Sequence, residues 1–222
     1  MRKTTARMRM DGEKTRETLI EAAGTLAAQK GWANVAAKEV CELAGVNSAS
    51  INYWFGGRDQ LYEAVLSRIP QAIFSKEMEI EMVQYETPEA ALNCFFSHHL
   101  KNLDAAGNWP IKLWAREVTS CPSESFQQLV KNTGKERVGI LMQFFADYLG
   151  VADRQDIRVQ VAFVSSMSPL FLLMIASPEL KHVVIPSLKD QDKAFKALLK
   201  NQIFTGLRLM RTQIAAEARS AR

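Results

Sequence analysis

Apolar positions return with a helical period along most of the chain. Leu19, Ala22, Ala23, Leu26 and Ala27 recur at i, i+3 and i+4 spacing, with Arg16, Glu17, Glu21 and Lys30 largely on other faces. This predicts an amphipathic helix closed by Gly31 as its C′ residue. A second, shorter helix is expected from Ala36 to Ala44, burying Val40, Leu43 and Ala44. The run Ala44-Gly45-Val46-Asn47 then supplies a glycine free to take positive φ and an asparagine suited to cap a third helix over Ser48 to Trp54. Gly56-Gly57 ends that helix, and Arg58-Asp59-Gln60 opens a fourth.

Beyond it the breaks are weak: Pro70, Thr87-Pro88, Gly107 to Pro110, Cys121-Pro122, Gly150, Pro178 and Pro186. Thr87 is placed as an N-cap with Pro88 in the first turn. Long helices are expected over Ser123 to Leu149, over Asp153 to Ile175 with a bend at Pro169, and over Lys189 to Arg219. No segment alternates apolar and polar residues between hairpin signals, and no internal repeat is visible. The pattern therefore reads as all-α. Its organisation is a basic, unstructured arm over residues 1–12, a helix-turn-helix domain over 13–66 and a second helical domain over 67–222.

Two short helices joined by a glycine turn form the helix-turn-helix plan. The first helix braces and the glycine allows the sharp turn. The second helix then presents an outer face that a major groove is wide enough to admit. Charge is compatible with that partner. The net charge is only +4, but Arg2, Lys3, Arg7 and Arg9 put four positive charges and no negative one in the first ten residues. Such an arm can lie along phosphates, or be no more than a soluble end. It lacks the apolar core of a signal peptide. With 47% hydrophobic and 23% charged residues, the composition is that of a globular protein and excludes disorder over most of the length. Cys41, Cys94 and Cys121 are far apart without Cys-x-x-Cys spacing, which points to free thiols in a reducing cytoplasm. The most apolar stretch, Val161 to Ala176, is interrupted by Ser165, Ser166, Ser168 and Pro169 and reads as a buried helix, with no membrane partner.

The run Thr15-Arg16-Glu17, Ala22-Ala23, Leu26, Gly31, Val40, Ala44-Gly45-Val46-Asn47, Ile51, Tyr53, Phe55, Arg58 and Leu61-Tyr62 resembles the N-terminal domain of TetR-family transcriptional regulators. The resemblance covers residues 13–66, and the wording from Ala44 to Tyr62 is similar to the CecR-like branch. It implies a ligand-responsive homodimeric repressor on a palindromic operator of double-stranded DNA. The second domain would dimerise and hold a small-molecule effector. It also implies phosphate contacts from the residue opening the fourth helix, from an aromatic in the recognition helix and from a hydroxyl at the start of the second helix. Those positions are Arg58, Tyr53 and Ala36. Ala36 departs from the pattern by lacking the hydroxyl, with Asn34 or Lys38 as substitutes. Asn52 stands where the family commonly has an aromatic and Trp54 where it commonly has a histidine. The Asn52 amide matches an adenine edge. Asn47, Ser48 and Ser50 reach phosphates or base edges, while Trp54 is either a DNA contact or a wedge between helices.

Catalytic and cofactor signatures are missing: there is no Gly-x-Ser-x-Gly, Gly-x-Gly-x-x-Gly or phosphate loop. Glu179-x-x-His182 is half of a di-iron motif and occurs once. The chain is therefore read as a non-enzyme without cofactor or metal. Effector-pocket candidates are Trp109, Trp114, Phe163, Met167 and Phe171 as apolar walls, with His98, Arg116 and Ser166 as polar handles; packing of a core accounts for the same letters. Leu198, Leu199, Ile203, Leu207 and Met210 form an apolar stripe facing either a second copy or the chain's own core. The competing reading is a helical protein-interaction module that has lost DNA binding.

Overall fold

The computed structural model describes residues 2–103 and 108–220, with side chains from residue 12 onward. Among the described residues the secondary structure is helical, without strands. In chain order the helices are α1 (Arg2–Lys30), α2 (Ala37–Ala44), α3 (Ser50–Phe55), α4 (Arg58–Leu66), α5 (Arg68–Ile73), α6 (Lys76–Val83) and α7 (Pro88–Lys101). They continue with α8 (Trp109–Thr119), α9 (Glu124–Leu129), α10 (Lys135–Leu149), α11 (Ile157–Ile175), α12 (Pro178–Val184), α13 (Ser187–Asp190) and α14 (Asp192–Ser220). The chain divides into two compact units: residues 1–73 with 106–132, and residues 74–105 with 133–222.

The first unit is built around α1, which packs against α2, α4 and α8. Its inner face is Leu19, Ile20, Ala22, Ala23 and Ala27, all buried, so the period-3.6 stripe in the sequence meets the core except at Leu26, which is half-buried, and gains Ile20. Gly24 lies on the same face for a steric reason. A Cβ there would sit 2.5 Å from the Trp109 ring, so only glycine lets α8 come this close. The Trp109 indole N–H donates to Glu21 Oε2 at 2.7 Å. Helix α1 begins at Arg2, not after an unstructured arm. No proline interrupts residues 2–11, and Ala, Met, Arg and Lys all favour helix, so the fold continues through the basic stretch. The side chains of Arg2, Lys3, Arg7 and Arg9 lie outside the described ones. The unit also includes α5, α8 and α9, with α5 on α8 and α4 on α9, so it takes in more chain than the segment 13–66.

The segment read as one helix from Ser123 to Leu149 is three pieces. Ser123 caps α9 by accepting from Phe126 N at 3.2 Å, residues Val130–Gly134 form a wider π-helical turn, and α10 follows. Asn132, Thr133 and Gly134 favour the turn, being poor formers of regular helix.

In the second unit Thr87 caps α7, accepting from Ala90 N at 3.2 Å, with Pro88 in the first turn as the sequence predicts. Helix α7 packs on α6 and α10, and α14 packs on α10 and α11. The core is aromatic: Phe96 lies 6.2 Å from Phe145 and 5.7 Å from Phe204, and Phe145 lies 5.6 Å from Phe163, all near edge-on. Helix α11, expected to be buried, is buried on one face only. Val159, Ala162, Ser166, Met167, Leu170, Leu173 and Met174 point inward. Ile157, Val161, Val164 and Leu172 are between 51% and 73% exposed. Both faces of the helix are apolar, so composition alone could not tell which one the chain itself covers.

Candidate nucleic-acid interface

The turn between α2 and α3 is set by hydrogen bonds that close only around a left-handed residue. Gly45 has φ 66° and ψ 33°. Its N–H donates to Glu42 O at 3.1 Å, and the Val46 N–H donates to Cys41 O at 2.9 Å. This is the Schellman pattern, and it satisfies the last carbonyls of α2 while reversing the chain. Asn47 then starts the next helix as predicted: its Oδ1 accepts from Ala49 N at 2.9 Å and its carbonyl accepts from Ser50 N at 3.0 Å. Regular helix begins at Ser50, two residues later than the sequence suggests, within the ordinary uncertainty of a capped end.

Ile51 anchors α3 in the core at 3% exposure. With that residue inward, helical geometry turns Asn52 and Tyr53 outward, Tyr53 with 77% exposure, and Asn47, Ser48 and Ala49 are exposed in the turn that leads into the helix. Ser50 is half-buried. Trp54, the one residue of the recognition helix with two readings, is a wedge. It packs against the core of the unit and lies where a Cβ on Gly12 would touch its ring at 2.6 Å, while Tyr53 meets its ring edge-on at 4.8 Å. Its size and apolar body favour that burial over a place in a wet groove.

At the start of α2 the missing hydroxyl of Ala36 leaves the helix without a side-chain cap from that position, but a carboxylate from within the helix satisfies the Ala36 amide. The Ala36 N–H donates to Glu39 Oε2 at 2.9 Å, and Lys30 Nζ holds the same carboxylate at 2.6 and 2.8 Å. Lys30 and the Ala36 amide lower the pKa of Glu39. Glu39 stands at N3 of this helix, so half of a capping box was present in the sequence. Of the two proposed substitutes, Asn34 donates its amide to Lys30 O at 2.8 Å, and Lys38 is exposed on α2 beside Glu42 at 3.7 Å. Leu43, expected to be buried, is 56% exposed on the same helix.

Arg58 opens α4 and is half-buried against Trp32. Its guanidinium carbon lies 4.6 Å from the Trp32 ring centroid, and Nη2 donates to the Trp32 carbonyl. Trp32 stacks on Tyr62 at 4.5 Å with planes 7° apart. The Tyr62 hydroxyl donates to Glu117 Oε1, and Glu117 Oε2 accepts from Ser123 N at 2.8 Å and from Ser123 Oγ at 2.9 Å. Burial and the adjacent carboxylate push the Tyr62 phenol well above its ordinary range, so it stays a donor at physiological pH. Trp32, Glu117 and Ser123 were absent from the sequence-derived site. The only signal for them is their polarity or size among core positions, because Tyr62 and Glu117 are 55 residues apart.

The eight residues read as an effector pocket are shared between the two units. Trp109 is a core residue of the first unit, with its N–H already paired and its ring filling the space over Gly24. Trp114 is half-buried against the same core. Arg116 donates to Gln29 O at 3.4 Å and lies against Gly31, closing the end of α1. In the second unit His98 is exposed and its neighbour His99 is the one turned inward, 4.4 Å from the Phe95 ring. The inner face of α7 runs through Ala91, Leu92, Phe95, Phe96 and His99, which leaves position 98 outside. Phe163 and Phe171 are half-buried and Ser166 and Met167 buried on α11. Ser166 borders a cleft of about 390 Å³ between α11 and α14, together with Ala162, Pro169, Leu199, Gly206 and Met210.

Residues 19–65 match the family model described as bacterial regulatory proteins, tetR family. No curated protein matches this sequence. Among solved structures the chain is similar to the hemolysin II transcriptional regulator HlyIIR, with 20% identity and a TM-score of 0.54 over 84% of this chain and 97% of that one. It is similar to a transcriptional regulator from Rhodococcus sp. Rha1, with 20% identity and a TM-score of 0.57 over 87% and 96% of the two chains. It is also similar to the ketosteroid transcriptional regulator KstR2 of Mycobacterium tuberculosis, with 13% identity and a TM-score of 0.57 over 83% and 92%. At these identities the likeness is one of fold.

Proposed function

We propose that this chain, whose residues 19–65 match the tetR-family model, is a DNA-binding regulator that works as a homodimeric repressor. It holds a palindromic operator and leaves it when a small molecule binds the second unit. The observation that carries the reading is the outward row on α3. A short helix anchored by Ile51 and launched by a left-handed Gly45 offers amide, hydroxyl and phenol groups to solvent, the chemistry of a major-groove reader. Asn52 reads an adenine edge, Ser48 and Ser50 touch the groove wall, and Asn47, Tyr53, Lys38 and Arg58 hold phosphates. Trp54 supports the helix from behind. Such a protein works in the cytoplasm, and the likeness of the Ala44–Tyr62 wording to the CecR-like branch belongs to the same reading.

Dimerisation uses the open side of α11 and α14. Ile157, Val161, Val164, Ser168 and Leu172 form one stripe at i, i+4 and i+3 steps, and Leu198 and Leu209 add exposed aliphatic surface on α14. Two heads on adjacent half-sites of a palindromic operator stand about 34–36 Å apart, one DNA turn. The effector is held among Phe163, Ser166, Met167 and Phe171. It releases the operator to the extent that it prefers the geometry that does not bind DNA.

Fluorescence anisotropy against duplexes from the DNA upstream of the gene tests the reading. Specific nanomolar binding that falls steeply with added salt is expected. Absence of salt-dependent binding to any duplex would replace it with the protein-interaction module.

A further inference from the structure

The geometry points to Trp32 as a positioning residue for Arg58, braced by a buried chain of contacts through Tyr62 to Glu117. The inference rests on the reading of Arg58 as a phosphate-holding cation. A free arginine at a helix start samples many rotamers, and a phosphate contact must then order it. Here two contacts from a single residue fix the guanidinium: the Trp32 ring beside it at 4.6 Å and the Trp32 carbonyl, which takes one N–H. A guanidinium carries five N–H donors, so the carbonyl leaves most of the fork for an anion.

Trp32 is itself held in place. It sits in the 3₁₀ turn Trp32–Asn34 between α1 and α2, where the backbone alone would leave a large side chain free to move. Arg58 and Tyr62 stand one helical turn apart on α4 and both lie against its ring. Tyr62 is 2% exposed, and its hydroxyl is tied to Glu117, 9% exposed. Glu117 is in turn tied to both donors of Ser123, the residue that caps α9. The α8–α9 corner therefore fixes Tyr62, Tyr62 fixes the plane of Trp32, and Trp32 fixes the cation. This gives a half-buried tryptophan outside the recognition helix a part in DNA affinity that acts through Arg58.

The test uses the full chain, a labelled mixed-sequence duplex and a salt series, because a phosphate contact is independent of sequence. Arg58→Ala should weaken binding about tenfold and lower the slope of log K against log salt by about 0.9, the signature of one lost phosphate. Trp32→Ala should reproduce most of that loss, about three- to tenfold with a similar fall in slope, and Trp32→Phe, which keeps a π face, should restore it. In the Arg58→Ala background Trp32→Ala should add less than about twofold, since both remove one interaction. Thermal unfolding accompanies each variant. If Trp32→Ala does not fold, Trp32→Leu is read in its place, because it fills the core without a π face. Additive losses, or an unchanged salt slope in the tryptophan variants, overturn the positioning role while leaving Arg58 as a phosphate ligand. An unchanged slope in Arg58→Ala itself overturns the phosphate reading beneath it.

Discussion

Helices α3 and α11 solve the same geometric problem with opposite chemistry. Each buries one face and opens the other. The open face of α3 and of the turn before it carries Asn47, Ser48, Asn52 and Tyr53, whereas that of α11 carries Ile157, Val161, Val164 and Leu172. Exposure alone therefore names no partner; the side chains do. Polar groups on a short helix keep their hydrogen bonds in a wet groove, where a duplex presents matching donors and acceptors. An aliphatic stripe gains nothing from such a partner and gains most from removing another apolar face from water. The comparison also divides the labour proposed for the two units: the first would display a reader, the second an adhesive surface.

The sharpest way to break that division is a charge at the centre of the α11 stripe. Val164 is 58% exposed, so Val164→Glu should leave the single chain's unfolding within about 0.5 kcal/mol of the parent. In a dimer the same carboxylate would be buried without a partner and present twice, weakening association by at least about 100-fold. Sedimentation velocity should report monomers, and operator affinity should fall with them. A dimer of undiminished strength would move the interface elsewhere and leave the stripe unexplained.

The same pair of helices shows what sequence can and cannot disclose. The α2–α3 turn was legible because its rules act over a few residues: Gly45 takes the left-handed conformation and Asn47 caps the next helix. The burial of α11 was not, since the period locates a helix but does not say which of two apolar faces the chain covers. The packing of Trp109 was not legible from that residue alone either, because an aromatic letter looks the same in a core as in a cavity. The clue was Gly24, a glycine inside a helix, which marks close approach by something large. Glu39 was legible as the N3 residue after Ala36, where a carboxylate reaches back to the N-cap amide. The Tyr62–Glu117 contact lay beyond reach, because no local rule pairs residues 55 positions apart.

On the reader side the comparison narrows to one amide. Asn52→Ala should leave folding and dimerisation unchanged, since the side chain is exposed. It should shift which base is preferred at one operator position, by about 1–3 kcal/mol if the amide contacts adenine through both its groups. Binding selection from a randomised half-site checks this directly. An identical preference in the variant would assign Asn52 to the surface and leave Ser48 and Ser50 to do the reading.

The smallest effect separates the two helices by the charge of their caps. Asn47 begins α3 with a neutral amide, which does not repel a phosphate. Asp156 begins α11 with a carboxylate, accepting from Arg158 N at 2.8 Å and Nε at 3.0 Å, with Nη2 at 2.6 Å from its other oxygen. The hydrogen bonds from Arg158 lower its pKa from the ordinary 3.8 to about 2. A depressed carboxylate contributes stability that is complete above the unfolded value and is lost as pH falls through the folded one. The Arg158 amide should therefore lose protection from hydrogen exchange between about pH 4 and pH 2, while the Ala49 amide, held by Asn47, should not respond through its cap. Asp156→Asn keeps a capping oxygen but cannot titrate, so it should remove the pH dependence at Arg158 and change little else at neutral pH. Equal acid sensitivity of the two amides in the parent would mean that the caps do not control the ends of these helices, and the contrast between them would then rest on their open faces alone.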